Sequence, residues 1–404
     1  MKMEQTPKKS VLEVELTAGV DCGNYETEVA FFNNGQIQYN NQPTVIRYTN
    51  MKHPETERSV EEIMSNFFDN LTIYYKSNNK LINSFGYYYI GKAALENKTV
   101  GIPQNMEITS GNKSSSDIPV LMATTMIAAT ALKNNYDNTH ELPEQLNVKA
   151  SISTAIPSSE YRVERARQME ERLKGVHYID FYIGNKIVRV VLELGFVKCT
   201  EEGKTAMLAF LSYDDEVLKE YNEEYSENAT VSDFKNQFTF HVDIGDGTSE
   251  FIAIKGVNPT GSIGVRAGVG HATMDAIADY KEQLSGMTGE ITRQYFMELL
   301  RGNTGRTGKA KECFEKAVIG QAQYLLSLIR NNYATLTQGE ALYIFVHGGG
   351  SCVFKNYIYR DLCKFAEQVQ AKVVYIPCTH ATHMNSTGNL RLVEMLLKNK
   401  EKAN

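Results

Sequence analysis

Apolar and polar residues alternate over 11–16 (VLEVEL), the period of a half-buried strand, and a second apolar run follows at 28–32 (EVAFF). Asn34-Gly35 is a hairpin turn signal, since both residues tolerate positive φ. Residues 40–100 are polar and mixed, with a short strand at 86–90 and a helix over 58–70, and they read as a small subdomain inserted early. The stretch 109–117 (TSGNKSSSD) is a loop by composition. Good helix formers without a breaker after Pro119 predict a helix over 118–134. A buried strand is expected at 147–155, a charged helix at 159–174, and a hairpin over 179–194 that turns at Gly184-Asn185. The strand 238–244 (FTFHVDI) ends at Gly245. Helices are expected over 271–285, 291–301 and 308–331, the last with Phe314, Ala317, Val318, Tyr324, Leu325 and Leu328 at helical spacing. A strand at 341–346 runs into Gly348-Gly349-Gly350, a further strand covers 373–376, and a helix over 388–398 closes the chain. Strands alternating with helices define the α/β class.

With 404 residues the chain has length for two or more domains. Its net charge of -6 argues against a protein that grips a nucleic-acid backbone by itself, while leaving DNA contact through a partner open. Residues 211–233 are strongly acidic and read as a solvated helix or loop. Cys22, Cys199, Cys313, Cys352, Cys363 and Cys378 lack paired spacing, which fits free thiols in a reducing compartment. The opening stretch MKMEQTPKKS lacks an apolar signal region, and no apolar run of about 18 residues exists. The chain therefore reads as cytoplasmic, with no membrane partner.

The strongest chemical signal is an internal repeat. VDCGNYETEVAFF (20–32) set above VDIGDGTSEFIAI (242–254) pairs Val20 with Val242, Asp21 with Asp243, Gly23 with Gly245 and Glu28 with Glu250. Each copy is a strand, a tight Asp-x-Gly turn and a strand, at a domain-sized separation. Glycines let backbone N–H groups approach phosphate oxygens, and an aspartate on each turn orients the waters of a Mg²⁺ that bridges the phosphates. Two such turns facing each other would clamp a polyphosphate. ALYIFVHGGGS (341–351) adds a glycine-rich strand-to-helix turn against which a nucleotide can lie. Two other motifs carry less. GNTGRTGK (302–309) misses the P-loop pattern by one residue, and Ala310 stands where a hydroxyl is needed. CTHATH (378–383) supplies one Cys and two His with no second ligand cluster, which favours a structural loop over a metal site.

The order of these turns resembles the actin, sugar-kinase and heat-shock ATPase superfamily. Within it, STAIPSSEYR (153–162) and FVKCTEEGKTAMLA (196–209) look like stretches of the bacterial plasmid-segregation actins of the ParM type. The resemblance implies an actin-like fold: two ribonuclease-H-like domains flank a nucleotide cleft, each with a smaller inserted subdomain. Domain I would span 11–240 with its insertion at about 40–110, and domain II 241–380 with a helical insertion at about 275–335. Residues 381–404 would form a C-terminal helix packing back on domain I. The first phosphate loop falls on Cys22, Gly23 and Asn24, the second on Gly245, Asp246, Gly247 and Thr248, and the adenosine loop on Gly348, Gly349 and Gly350. Asp21 and Asp243 would hold Mg²⁺ through water. Glu202 would position the attacking water, with its neighbour Glu201 as the competing assignment. Lys309 and Glu312 fall where relatives contact ribose and base, although a solvated or core-facing helix explains them as well. ATP is the implied nucleotide, with GTP left open. The implied function is an ATPase that assembles with itself into filaments and segregates plasmid DNA through a DNA-binding adaptor. A small-molecule kinase of the same superfamily is the alternative. One departure stands out: where many relatives carry a Lys that reaches the phosphates, this chain has Glu28, so either Glu28 turns away or another cation does the work, with Lys204 and the cations of 306–311 as candidates.

Overall fold

The structure is a computed structural model and describes residues 12–50, 58–97, 101–106, 113–284 and 291–403. The polar N-terminal stretch and residues 109–112 of the expected loop lie outside the described residues. In chain order the first ten strands are β1 Leu12–Cys22, β2 Glu26–Asn33, β3 Gln36–Pro43, β4 Val45–Thr49, β5 Thr72–Ser77, β6 Gly86–Ile90, β7 Pro103–Asn105, β8 Gln145–Ile156, β9 Gly175–Ile183 and β10 Lys186–Glu201. They form one sheet in the order β3-β2-β1-β8-β10-β9-β5-β6-β4-β7. Strands β11 Phe238–Ile244, β12 Ser249–Lys255, β13 Asn258–Val265, β14 Tyr343–His347 and β15 Lys372–Tyr375 form a second sheet in the order β13-β12-β11-β14-β15.

The two sheets share a plan. In each, a three-stranded antiparallel meander places its first strand beside two parallel strands: β1 beside β8 and β10, and β11 beside β14 and β15. The first sheet is covered on one face by the helix Asp117–Thr139. That helix is buried almost continuously from Pro119 to Leu132, as its all-round apolar sequence requires, and Ser116 Oγ caps its start by accepting from the Ile118 N–H. On the other face lies the C-terminal helix Met384–Ala403, so close to β1 that a Cβ on Gly19 would sit 2.0 Å from the Ser386 carbonyl oxygen. Gly388 likewise faces Thr205 Oγ1, which a Cβ would meet at 2.4 Å. The helix starts at Met384, four residues before the expected 388, and runs on to Ala403.

The second sheet packs Phe240, Val242 and Ile344 against the helices Gly305–Thr337 and Gly349–Gln368. Its opposite face receives the acidic segment. Val217, Leu218, Tyr221 and Phe234 bury against Ile252, Ile254 and Phe345, while the carboxylates stay outside, so this segment is an anchored cover. The helix expected at 159–174 begins only at Val163. Glu160 is withheld from it by accepting from the Lys113 and Ser114 N–H groups. The helix expected over 58–70 is Val60–Ser65 followed by the short turn Phe67–Asn70.

One expectation is corrected. Cys352 and Cys378 are joined by a disulfide, their Cα atoms 5.7 Å apart. They follow the adjacent parallel strands β14 and β15, so the sheet brings together residues that the spacing did not pair. Cys22, Cys199, Cys313 and Cys363 are free.

Candidate functional site

The internal repeat is a repeat of register. In the first hairpin Asp21 pairs with Glu28 and Cys22 with Thr27; in the second, Asp243 pairs with Glu250 and Ile244 with Ser249. Identical register puts the aspartate and the following glutamate of each hairpin on one face, since directly opposed residues share a face. The two turns meet in a cleft lined by Asp21, Gly23, Asn24, Glu202, Asp243, Gly245, Asp246, Gly247, Thr248, Glu250 and Asn385. Of the residues assigned from the sequence, the phosphate-loop set is thus brought together, except that the Cys22 side chain turns away and donates to the Pro119 carbonyl. The second turn is closed by the Gly245 N–H on the Thr248 carbonyl at 2.9 Å. It is backed by the helix Val269–Gln283, whose Val269 and Gly270 N–H groups bond the Gly245 and Asp246 carbonyls. Arg293 forms a part-buried ion pair with Asp246.

Gly348, at φ 83°, has no room for a side chain: a Cβ would lie 2.2 Å from Asp243 Oδ1. Gly350 packs on Ile244, whose Cγ2 a Cβ would meet at 2.7 Å, and Gly349 opens the helix that follows. The glycine turn therefore lies directly against the second aspartate hairpin. Beyond it is a cavity of about 420 Å³ between the helices Arg293–Arg301, Gly305–Thr337 and Gly349–Gln368, with Arg301, Lys311, Glu315 and Tyr357 among its lining residues. Lys309 and Glu312 are not among them. They pair with each other at 2.9 Å, while Lys311 and Glu315 of the same helix line the cavity. GNTGRTGK spans the three-residue connection after Arg301 and the first residues of the helix Gly305–Thr337.

Electrostatically the cleft is dense in acid. Glu202 reaches into it, and Lys113 Nζ bonds Glu202 Oε1 at 2.5 Å. Glu201 points elsewhere: it accepts from Ser262 and pairs with Lys204 at 2.7 Å. Lys204 is thereby engaged, and the cations paired with lining carboxylates are Lys113, on Glu202, and Arg293, on Asp246. Burial alone would lower the Lys113 pKa, but the Glu202 and Asp21 charges outweigh it and hold it above the ordinary lysine value. Burial pushes Asp21 up to about 7 against the pull of Lys113, with Glu202, Asp243 and Glu28 adding to the rise. Burial also raises Glu202. Glu250 is pushed up to about 8 by burial and by the Glu202 charge. Its Oε2 accepts from the Ser158 N–H at 3.2 Å, and its Oε1 is buried without a hydrogen-bond partner among the described residues.

Glu28 is turned toward the C-terminal helix. One carboxylate oxygen accepts from Ser386, and the other meets His383 Nδ1 at 2.7 Å. The motif CTHATH is absorbed in the same way: Cys378 is in the disulfide, His380 packs edge-on against Tyr213, and His383 stacks on Tyr39. The sequence analysis missed Lys113, Asn385 and Arg293. Lys113 sits in a segment read only as a loop; a lone lysine there carries no pattern.

The residues present fit a polyphosphate accompanied by a divalent cation. The five carboxylates that line the cleft, Asp21, Glu202, Asp243, Asp246 and Glu250, would repel a bare triphosphate, whereas a Mg²⁺ would offset the charge of both. Among the described residues no cluster of three or more His, Cys, Asp or Glu is set to hold a metal directly, so a Mg²⁺ here would be held through water.

No protein-family model and no curated protein matches the chain. Solved structures do. The chain superimposes on Bacillus thuringiensis ParM with ATP at TM-score 0.57 and 18% identity, covering 95% of this chain and 99% of that one. It superimposes on the actin-like protein Alp7A at TM-score 0.65 and 14% identity, covering 97% and 100%. A non-polymerisable quadruple mutant of pCBH ParM matches at TM-score 0.63 and 17% identity, covering 95% and 100%. The chain is an α/β protein with the actin-like fold. Over nearly its whole length that fold is the one seen in ParM-type proteins.

Proposed function

We propose that the protein is a Mg²⁺-dependent ATPase that assembles with itself into filaments and moves plasmid DNA in the cytoplasm through a DNA-binding adaptor. The observation that carries this reading is the pair of hairpins in one register, which turns Asp21 and Asp243 toward each other across a cleft that also holds Glu202 and Lys113. The ParM structures with ATP, ADP and AMPPNP support nucleotide as the ligand. Domain I would run over 11–240 and domain II over 241–380, a boundary that falls within β11, with the acidic segment before it packed on the second sheet.

In this reading Asp21 and Asp243 hold the waters of Mg²⁺, which when bound neutralises charge on the phosphates. The backbone of Cys22, Gly23 and Asn24 and of Gly245, Asp246, Gly247 and Thr248 cradles phosphate oxygens. Gly348, Gly349 and Gly350 let the nucleoside lie against the chain, and the neighbouring cavity takes the base. Lys113 turns from Glu202 to a phosphate oxygen. The carboxylate so released accepts a hydrogen bond from the attacking water and orients it for in-line displacement. Glu250, largely protonated at neutral pH, adds no charge against the phosphates. The acidic surface agrees with leaving DNA contact to an adaptor.

Purified protein with Mg-ATP should pellet and scatter light above a critical concentration in the range of tens of micromolar or below, and protein without nucleotide should not. Protein that stays monomeric there and phosphorylates a sugar or acid instead would establish the kinase alternative.

A further inference from the structure

We propose that Asn385, in the first turn of the C-terminal helix, is a positioning residue that holds Asp243 and the Glu202 turn in one frame. Asn385 lines the cleft with both aspartate turns. Its Nδ2 donates to Asp243 Oδ2 at 2.9 Å, and its Oδ1 accepts from the Gly203 N–H, next to Glu202, at 3.4 Å. Asp243 belongs to the second sheet, whereas Gly203 follows β10 of the first. One side chain thus spans the two halves of the site. Its own place is set by its neighbours. Ser386 donates to Glu28, Asn389 Nδ2 donates to the Val20 carbonyl at 3.1 Å, and the helix touches β1 at Gly19.

The consequence is geometric. A carboxylate that orients metal-bound water has one oxygen free for that water only if the other is fixed. Asn385 fixes Oδ2 of Asp243 and leaves Oδ1 beside Gly348 and, at 3.7 Å, His347. The amide is neutral, so it orients Asp243 without discharging it, as a lysine would. The same side chain is therefore bonded at once to the second aspartate turn and to the turn that carries Glu202.

The inference rests on the proposed role of Asp243, and the experiment separates the two. Binding of a fluorescent ATP analogue is measured in Mg²⁺ and in EDTA for Asn385→Leu, Asp243→Ala and the double variant, with thermal melting to verify folding. Asn385→Ala replaces Asn385→Leu if the bulkier side chain disturbs the fold. Asn385→Leu should weaken binding in Mg²⁺ by about tenfold, the scale of one hydrogen bond to a charged group, and leave binding in EDTA unchanged. In the Asp243→Ala background the same change should have no further effect, because Asn385 acts through that carboxylate. Loss of Mg²⁺-dependent binding in Asp243→Ala but not in the Asn385 variant would overturn the positioning role. So would effects that multiply in the double variant, the result of a merely structural side chain. Unchanged binding in Asp243→Ala would overturn the reading of the cleft, and this inference with it.

Discussion

Lys113 and Glu202 form a buried pair with side chains 6% and 12% exposed, and neither has another ion-pair partner among the described residues. Removing one member of such a pair leaves the other uncompensated, so Lys113→Met should cost about 3 kcal/mol or more in urea unfolding. The paired Glu202→Gln keeps shape and hydrogen bonding to Lys113. It should fold and bind Mg-ATP while phosphate release falls by about a hundredfold, the usual scale for a lost general base. Its filaments should persist. Glu201→Gln, facing Ser262 and Lys204, should release phosphate normally; the reverse pattern would exchange the two assignments. His383 gives a pH dependence. Burial alone would lower its pKa, but the hydrogen bond and charge of Glu28 outweigh this and raise it. The folded protein then binds the proton more tightly than the unfolded chain, so the stabilisation is fully present below the unfolded value of about 6.5 and is lost as pH rises through the folded value. The melting-temperature difference between the protein and His383→Ala should be largest near pH 6 and shrink by pH 8.5. A gap that widens with pH would mean that the Glu28 contact does not depend on the imidazolium.

Among the elements, the C-terminal helix Met384–Ala403 carries more of the site than its length suggests. It approaches β1 without an intervening side chain at Gly19, where an added Cβ would meet backbone at 2.0 and 2.2 Å. Backbone cannot step aside as a flexible side chain does, so Gly19→Ala should force helix from strand and cost about 3 kcal/mol in urea unfolding. Gly305→Ala is the contrast: nothing lies within 4 Å of that position at the start of its helix. It should unfold within about 0.5 kcal/mol of the unaltered protein or be slightly more stable. Equal effects at the two glycines would show that close packing of helix on strand is not what fixes the C-terminal helix.

On the scale of the whole molecule, the two sheets are also joined away from the cleft lining. Asn105 at the end of β7 donates to Gln294 at 2.5 Å, joining the margin of the first sheet to the helix Arg293–Arg301, and Arg301 of the same helix lies against Tyr25 in the first hairpin. Gln294→Ala should loosen this junction, so a bound fluorescent nucleotide should leave several-fold faster in a chase with unlabelled ATP, with its equilibrium binding changed less. Unaltered release would place the rate-limiting opening elsewhere.

The sequence by itself determined the α/β class, most strand and helix positions and the paired Asp-x-Gly hairpins, because each rests on residues a few positions apart. Alternation makes a strand amphipathic, and the two turns share a motif short enough to recognise by eye. Even the common register of Asp21 with Glu28 and Asp243 with Glu250 was implicit in their equal spacing. The tertiary structure alone decided the partners. Lys113 meets Glu202 across 89 positions, Asn385 meets Asp243 across 142, and Ser386 meets Glu28 across 358. Cys352 and Cys378 meet because β14 and β15 are neighbours in a sheet. A single lysine, asparagine or cysteine has no local period to betray it. Its chemistry is set by what the fold brings to it: the Glu28 carboxylate is ordinary in the sequence and becomes a tie to the C-terminal helix only when that helix crosses β1.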